Sequence, residues 1–198
     1  MSVFIHDIAT SVPKGSNSQE VVREMMKTAF DSDRKTKAIL HRIYTQSGIQ
    51  KRHSVINAFH QPEQPNPFLK GSPPTTHERN EIYKKEASQL FVEVGKKLLN
   101  NNPHISANDI THVITVSCTG FYAPGPDYDL VKGLELSPQT QRFHLGFMGC
   151  FAAFPALKMA QSFCENNDQA VVLIVTVELC SLHFQQKLTV DNLIAASV

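Results

Sequence analysis

Several patterns that assign a protein to a class at once are missing from this sequence. Its four cysteines include no Cys-x-x-Cys pair, and its nine histidines fall at no metal-ligand spacing. Neither a metal site nor a disulfide framework is therefore predicted. Because free thiols are typical of a reducing compartment, the cysteines favour a cytoplasmic location.

Long apolar runs are absent as well. The longest strongly apolar stretch covers residues 170–177, far short of the ~20 residues that a membrane-spanning helix needs. The first residues, MSVFIHDIATSVPKG, contain no basic stretch followed by a long apolar one. We therefore expect no membrane span and no secretory signal.

The sequence also has no excess of one charge. Its 19 Lys and Arg balance 18 Asp and Glu, which excludes the basic surface of a dedicated nucleic-acid binder. It contains no GxGxxG and no GxxxxGK[ST] pattern, so nothing supports dinucleotide or P-loop binding. What is present is ordinary: 198 residues, 41% of them hydrophobic, can bury about 70% of the unfolded surface in a core.

The order of apolar patterns predicts the fold class. Strands are predicted at residues 3–8, 112–117, 142–148 and 170–179, and helices from residue 18, around residues 39–44, and at 81–101, 128–134 and 151–166. Continuous apolar strands that alternate with helices predict an α/β fold with a mostly parallel central sheet.

Two other stretches bear on the organisation of the chain. Residues 57–80 hold five of the eleven prolines, which predicts an irregular surface excursion. The last residues, DNLIAASV, form an apolar run without a polar tail. We therefore expect the chain to be part of a longer protein.

Cys150 is the best candidate for chemistry. It lies in FHLGFMGCFAAFPALKMA, where a predicted strand, Gly149, the cysteine and a predicted helix follow one another. A nucleophile on such a turn is exposed at the edge of the sheet, and a helix N-terminus favours a thiolate. A buried, inert thiol is the alternative. Pro155, which has no amide hydrogen, predicts that the regular helix begins close to it, weakening the effect of the helix dipole.

Other reactive residues follow the neighbouring predicted strands. Cys118 and Thr119 come directly after the strand predicted at residues 112–117, and Glu178 lies at the end of the strand predicted at residues 170–179. Because parallel strands place their carboxyl ends together, these residues are expected at one edge, either around a ligand or as filler. His183 could pair with a cysteine thiol or form part of a wall, and Cys164 and Cys180 are interpreted as packing or cavity-lining residues.

Lys51 and Arg52 form a basic pair in SGIQKRH. They could attract an anion such as a coenzyme phosphate. A solvated basic turn explains them equally well, so both interpretations stay open.

Three segments together resemble the chalcone and stilbene synthases, which are type III polyketide synthases with a thiolase-type fold. These segments are CTGFYAPGPDYDL, GCFAAFPALKMAQSFCENN and VVLIVTVELCSLHF. The resemblance is strong over residues 100–198 and loose before them. It implies a thiolase-like layered α/β fold and a chain, residues 1–198, that is the nucleophile-bearing N-terminal half, with the C-terminal half absent.

The resemblance also implies an activity. Cys150 would take an acyl group from a coenzyme A thioester and condense it with decarboxylated malonyl-CoA, as in a naringenin-chalcone synthase. Acyl-CoA and malonyl-CoA would be substrates, and no cofactor is implied. Residues that match the acyl cavity or the coenzyme site are Cys118, Thr119, Glu178, Cys180, His183 and Phe184 for the cavity and Lys51 and Arg52 for coenzyme A.

A loop residue of the family reaches into the neighbouring subunit. Ala123 matches that position, and its bond to Pro124 is expected to be cis. The resemblance therefore implies a homodimer.

Departures from the family pattern keep other functions open. Ala153 and Phe154, followed by Pro155, stand where the family has two glycines. The family's catalytic histidine and asparagine lie in the half that this chain lacks, so these 198 residues alone are not expected to complete the condensation. The alternatives are a ketoacyl-carrier-protein synthase III, a hydroxymethylglutaryl-CoA synthase, or a non-catalytic thiolase-fold protein for binding or dimerisation.

Overall fold

The computed structural model describes residues 2–30, 33–56, 67–69 and 71–197. They form two compact units. The sheet unit comprises residues 2–11 and 80–178, and the helical unit comprises residues 12–79 and 179–197, each within the described ranges. Of the proline-rich excursion predicted over residues 57–80, residues 57–66 and 70 lie outside the described part.

The described elements alternate between helix and strand for most of the chain. In chain order they are β1 Gly15–Ser18, α1 Gln19–Ala29, α2 Arg34–Gln46, β2 Lys51–Ser54, α3 Thr76–Asn101, β3 His112–Val116, α4 Pro126–Gly133, β4 Gln141–Leu145, α5 Ala153–Asn166, β5 Val172–Thr176 and α6 Val190–Ala195. Short 3-10 turns cover Ala107–Asp109, Gly149–Ala152 and Cys180–His183.

A parallel sheet forms the centre of the sheet unit. Its strand order is β4-β3-β5, and both pairings are parallel. Ile114 and Val116 pack against Ala152 and Ala156 on one face, whereas Arg142 on the other face forms an ion pair of 3.0 Å with a carboxylate of α4. Because alternate residues of a strand face opposite sides, β3 can be buried under a helix on each side. The predicted α/β class with a parallel sheet is confirmed.

The helical unit begins with the antiparallel pair β1 and β2. Ser18 caps α1 by accepting a hydrogen bond from the amide of Val21, and α2 ends just before Gly48, whose φ of 73° only glycine adopts readily. The start of α1 next to Ser18 was predicted from the sequence. The C-terminal α6 is held by Tyr44, whose hydroxyl donates to the carbonyl of Ala196 at 2.5 Å.

The strand predicted at residues 3–8 is wrong. No strand is present between residues 2 and 13, and Phe4, Ile5 and Ile8 are at least 70% exposed. Alternating apolar residues form a strand only when another strand accepts their backbone hydrogen bonds. Within the described part of the chain, no strand pairs with this segment.

The helix predicted from residue 81 begins earlier, at Thr76, so the end of the predicted excursion is helical. Thr75 and Glu78 explain the earlier start. The Glu78 carboxylate accepts from the Thr75 amide at 2.7 Å, and the Thr75 hydroxyl accepts from the Glu78 amide at 3.3 Å. This reciprocal capping satisfies backbone donors directly after the two prolines, where sequence reasoning expected only irregular chain.

Among the helices in the described ranges, none combines the length and the apolar character required to cross a bilayer.

Candidate active site

The site is built on the carboxyl ends of the three parallel strands. Val116, Leu145 and Thr176 are paired in register at the ends of β3, β4 and β5. Beyond them the backbone pairing continues, since the amide of Ser117 donates to Leu145 at 3.2 Å and that of Val177 to Val116 at 3.1 Å. The segments that carry Cys118, Cys150 and Glu178 therefore leave the sheet at one edge, as the sequence predicted.

Cys150 lies on the 3-10 turn Gly149–Ala152, which continues directly into α5. Its side chain is exposed. Gly149 has a φ of 69°, a conformation that glycine adopts without steric cost. Pro155 lies in the first turn of α5, where its missing amide hydrogen costs nothing, and the helix begins at Ala153, close to Pro155 as predicted. The thiol stands near a helix N-terminus, an environment that favours negative charge.

The sulfur of Cys118 contacts the turn that presents Cys150. It accepts hydrogen bonds from the amides of Met148, at 3.2 Å, and Gly149, at 3.1 Å. It also lies 3.7 Å from the Gly149 carbonyl, to which the thiol donates. The structure thus connects Cys118 to the turn that carries Cys150.

Glu178 lies at the same edge of the sheet, two residues after the end of β5. One carboxylate oxygen accepts from the amide of Cys118 at 2.9 Å. The other accepts from the amide of Thr119 at 3.1 Å and from its hydroxyl at 2.7 Å. The Glu178 carboxylate therefore accepts three hydrogen bonds from the loop after β3 and fixes the backbone that carries Cys118.

Two residues of α3 that sequence reasoning missed hold the same loop. The buried Tyr83 hydroxyl donates to the Ser117 hydroxyl at 2.6 Å, and burial raises the pKa of Tyr83 to about 12. The Asn80 amide donates to the Phe121 carbonyl at 2.8 Å and accepts from its amide at 3.0 Å. No sequence pattern predicts these hydrogen bonds, because they join side chains of a helix to backbone or hydroxyl groups of a loop far away in the sequence.

Exposed apolar side chains surround the position of Cys150 in the chain. Phe147 is 80% exposed, Phe151 60% and Phe154 61%. All three rings make aromatic contacts, Phe147 with Phe121 at 6.0 Å between centroids and Phe151 with Phe154 at 5.7 Å. The three rings therefore expose apolar surface close to Cys150 in the chain.

The predicted site residues of the helical unit divide into two groups. Cys180 and His183 lie on the 3-10 turn Cys180–His183 and are exposed. Phe184 is only 8% exposed, and its ring contacts Phe30 at 5.5 Å between centroids. The Phe184 side chain therefore packs in the core of the helical unit, and its place at an acyl cavity stays a prediction.

Arg79 anchors this turn and was also missed. It is 7% exposed, donates to the carbonyls of Leu182 and, at 3.0 Å, Phe184, and lies 5.0 Å from the centre of the Phe68 ring. Desolvation lowers the pKa of Arg79, but a guanidinium stays charged at neutral pH. The guanidinium therefore satisfies two buried carbonyls that flank His183.

We expect Arg79→Met to destabilise the helical unit by about 3 kcal/mol, because two buried carbonyls lose a charged donor. Urea unfolding measures this change. The exposed Arg34→Met variant is the matched control and is expected to shift the unfolding midpoint little. Equal midpoints for the two variants would contradict the anchoring role.

The proposed coenzyme residues differ in their surroundings. Lys51 is exposed at the start of β2. The Arg52 guanidinium donates to Gln19 at 2.7 Å and to the Ser197 carbonyl at 2.6 Å, and it lies 5.4 Å from the centre of the Tyr44 ring. Arg52 therefore has a structural role inside the helical unit, which leaves Lys51 as the better candidate for an anion.

The remaining predicted residues are Ala123 and Pro124 in a loop and Cys164 on α5. The Ala123–Pro124 peptide bond is cis, as expected, and both residues are exposed. Cys164 is half-buried on α5, and burial raises the pKa of its thiol, which agrees with a packing role. In the ranges that the structure describes, no group of three or more His, Cys, Asp and Glu could hold a metal ion.

Comparison with known proteins assigns this architecture. The model of the chalcone and stilbene synthase N-terminal domain matches residues 2–197. An alpha-pyrone synthesis polyketide synthase-like protein of Mycobacterium tuberculosis is 30% identical over 179 residues, which cover 90% of this chain and 44% of that protein.

Two crystal structures extend the comparison to the fold. The C-terminal type III polyketide synthase domain of Steely1, a type I/III hybrid from Dictyostelium, is 28% identical with a TM-score of 0.86, covering 98% of this chain and 53% of that one. The 1,3,6,8-tetrahydroxynaphthalene synthase of Streptomyces coelicolor is 28% identical with a TM-score of 0.80, covering 96% and 51%.

The chain spans about half the length of these relatives. Their thiolase-like fold agrees with the parallel sheet of this chain. The chain belongs to the chalcone and stilbene synthase family of type III polyketide synthases, of which it carries the N-terminal domain.

Proposed function

We propose that this chain supplies the nucleophile of an acyltransferase that condenses an acyl-CoA starter with malonyl-CoA. The observation that carries the proposal is the exposed thiol of Cys150 on the turn between a parallel strand and a helix N-terminus. Membership of the type III polyketide synthase family supports it. The relatives compared above are synthases of that type.

The chemistry proceeds in two stages at one sulfur. The Cys150 thiolate attacks the carbonyl carbon of the acyl thioester, and coenzyme A leaves as its thiolate, which takes up a proton. Malonyl-CoA then loses carbon dioxide, and the carbanion attacks the acyl carbon and releases the Cys150 thiolate. Exchange of one thioester for another is close to neutral in free energy, so cysteine suits a temporary acyl carrier.

The surroundings of the thiol fit an acyl substrate. Exposed aromatic rings at Phe147, Phe151 and Phe154 offer apolar surface next to Cys150 in the chain. Cys118, Thr119 and Glu178 at the same sheet edge are proposed to line the acyl site.

Coenzyme A, the partner subunit and the location complete the proposal. Lys51 is proposed to attract coenzyme phosphates, next to Arg52, which bonds β2 to Gln19 of α1. The exposed Ala123–Pro124 loop is proposed to meet a second copy in a homodimer. A cytoplasmic location fits four cysteines without a disulfide among them.

The experiment offers the full-length protein malonyl-CoA and a panel of acyl-CoA starters. We expect release of coenzyme A and carbon dioxide together with a longer acyl product. The 198-residue chain alone serves as the matched control and is expected to yield no condensation product, since the proposed histidine and asparagine partners of Cys150 lie outside it. Full-length protein that binds acyl-CoA without releasing coenzyme A would contradict the proposal.

One observation favours a non-catalytic binding protein as the second candidate. Phe154 lies in the first turn of α5, close to Cys150 in the chain, where the resemblance implies a glycine. If its ring blocks the acyl group, Phe154→Gly raises turnover from a negligible level. In a working synthase the same change alters only which starters are accepted, so the assay above distinguishes the two functions.

A further inference from the structure

The backbone before Cys150 has an unusual sequence of conformations. Phe147 has a φ of 59° and Gly149 a φ of 69°, both left-handed, while Met148 between them has a φ of −107° and a ψ of 0°. A positive φ is uncommon for a residue with a bulky side chain, so something must hold Phe147 there. Backbone strain of this kind persists only where the surroundings impose it.

The alternation of positive and negative φ along residues 147–149 determines where the backbone amides of this segment point. Successive N–H groups in such a segment point into one concavity, which suits an electron-rich atom. Here the amides of Met148 and Gly149 both donate to the sulfur of Cys118, at 3.2 and 3.1 Å. The thiol lies 3.7 Å from the Gly149 carbonyl as well, so this single atom makes three polar contacts with the turn.

Cys118 is itself held from the other side. The Glu178 carboxylate accepts from the amides of Cys118 and Thr119 and from the Thr119 hydroxyl. Three hydrogen bonds thus tie the loop after β3 to the end of β5. The contacts run without a gap from Glu178 through Cys118 to the residue directly before Cys150.

We propose that Cys118 is a positioning residue, whose sulfur accepts the two amides of the turn and so holds Cys150 at the sheet edge, with Glu178 fixing Cys118. The role rests on the proposed function in taking Cys150 as the reacting thiol. It goes beyond lining a cavity, because it requires an acceptor atom at position 118 rather than a side chain of suitable bulk.

The requirement for an acceptor gives a sharp pair of variants. Cys118→Ala removes the acceptor, whereas Cys118→Ser keeps lone pairs in nearly the same place. Hydrogen–deuterium exchange of the Met148 and Gly149 amides in the full-length protein reports the contacts directly. We expect about tenfold faster exchange in the alanine variant, in keeping with the loss of an ordinary hydrogen bond, and exchange close to the unaltered rate in the serine variant.

Reactivity of Cys150 provides the second readout. Iodoacetamide labelling followed by peptide mass spectrometry measures the Cys150 rate separately from that of other cysteines. In Cys118→Ala we expect the labelling rate of Cys150 to change by about tenfold, and in Cys118→Ser we expect the unaltered rate. The alanine variant is also expected to show a lower kcat with little change in KM for acyl-CoA. Cys164→Ala on α5 is the matched control, and Glu178→Gln should move both readouts in the same direction as Cys118→Ala.

The results separate this role from the proposed function. Unchanged amide exchange in Cys118→Ala, or serine and alanine variants with equal effects, would overturn the positioning role. If the variants behave as expected while the unaltered protein transfers no acyl group, the positioning role stands and the proposed function fails.

Discussion

Replacing Cys150 by alanine is expected to lower turnover in the full-length protein by about 10⁴-fold or more, since the acyl group then has no carrier. Steady-state release of coenzyme A measures the loss. Cys150→Ser is expected to retain only a small fraction of the activity, because a serine hydroxyl is not ionised at neutral pH and is a poorer nucleophile toward a thioester.

The control for this prediction lies on the neighbouring helix. Cys164 is a half-buried thiol whose pKa is raised by burial, so Cys164→Ala is expected to leave turnover close to that of the unaltered protein. A Cys150→Ala variant that keeps most of its turnover would show that another residue carries the acyl group.

Gly120→Ala is expected to destabilise the sheet unit by about 3 kcal/mol. A Cβ at position 120 would lie 2.1 Å from the ring of Tyr83, closer than real atoms approach. Tyr83 is 1% exposed and hydrogen-bonded to Ser117, so its ring cannot move without breaking that bond and the packing around it. Thermal or urea unfolding measures the change.

Gly48→Ala separates steric overlap from backbone strain. Gly48 has a φ of 73°, but no atom lies within 4 Å of a Cβ added there. This variant is expected to cost only about 1 kcal/mol, from the left-handed conformation alone. If Gly120→Ala costs no more than Gly48→Ala, Tyr83 does not hold the loop after β3 as described.

The parallel sheet could be predicted because its strands carry their own signal. Residues 112–117 and 170–179 are nearly continuous apolar runs, as expected of strands that helices cover on both faces. The candidate site followed from the same pattern. Once the strands are parallel, the residues after each strand, including Cys118 and Cys150, must leave the sheet at one edge.

The wrong strand prediction, at residues 3–8, concerned a segment that needs a pairing partner elsewhere in the chain. Residues 3–8 have the composition of a strand, yet strand formation depends on a neighbour for the backbone, which composition does not report.

The side chains that hold the loop after β3 and the turn Cys180–His183 follow no recognisable sequence pattern. Asn80 bonds to the backbone of Phe121, 41 positions away, and Arg79 to the carbonyl of Leu182, 103 positions away. Any asparagine or arginine can satisfy a backbone group, so residue type alone selects none of them. Only the fold brings each side chain to its partner.

The most direct test of the central claim maps the acyl group itself. The full-length protein is mixed with an isotopically labelled acyl-CoA, quenched in acid, digested and analysed by mass spectrometry. We expect a thioester on the peptide that contains Cys150, formed before product and removed when malonyl-CoA is added. A label found on Cys118 or Cys180 instead, or product formed with no label on Cys150, would contradict the assignment of Cys150 as the nucleophile.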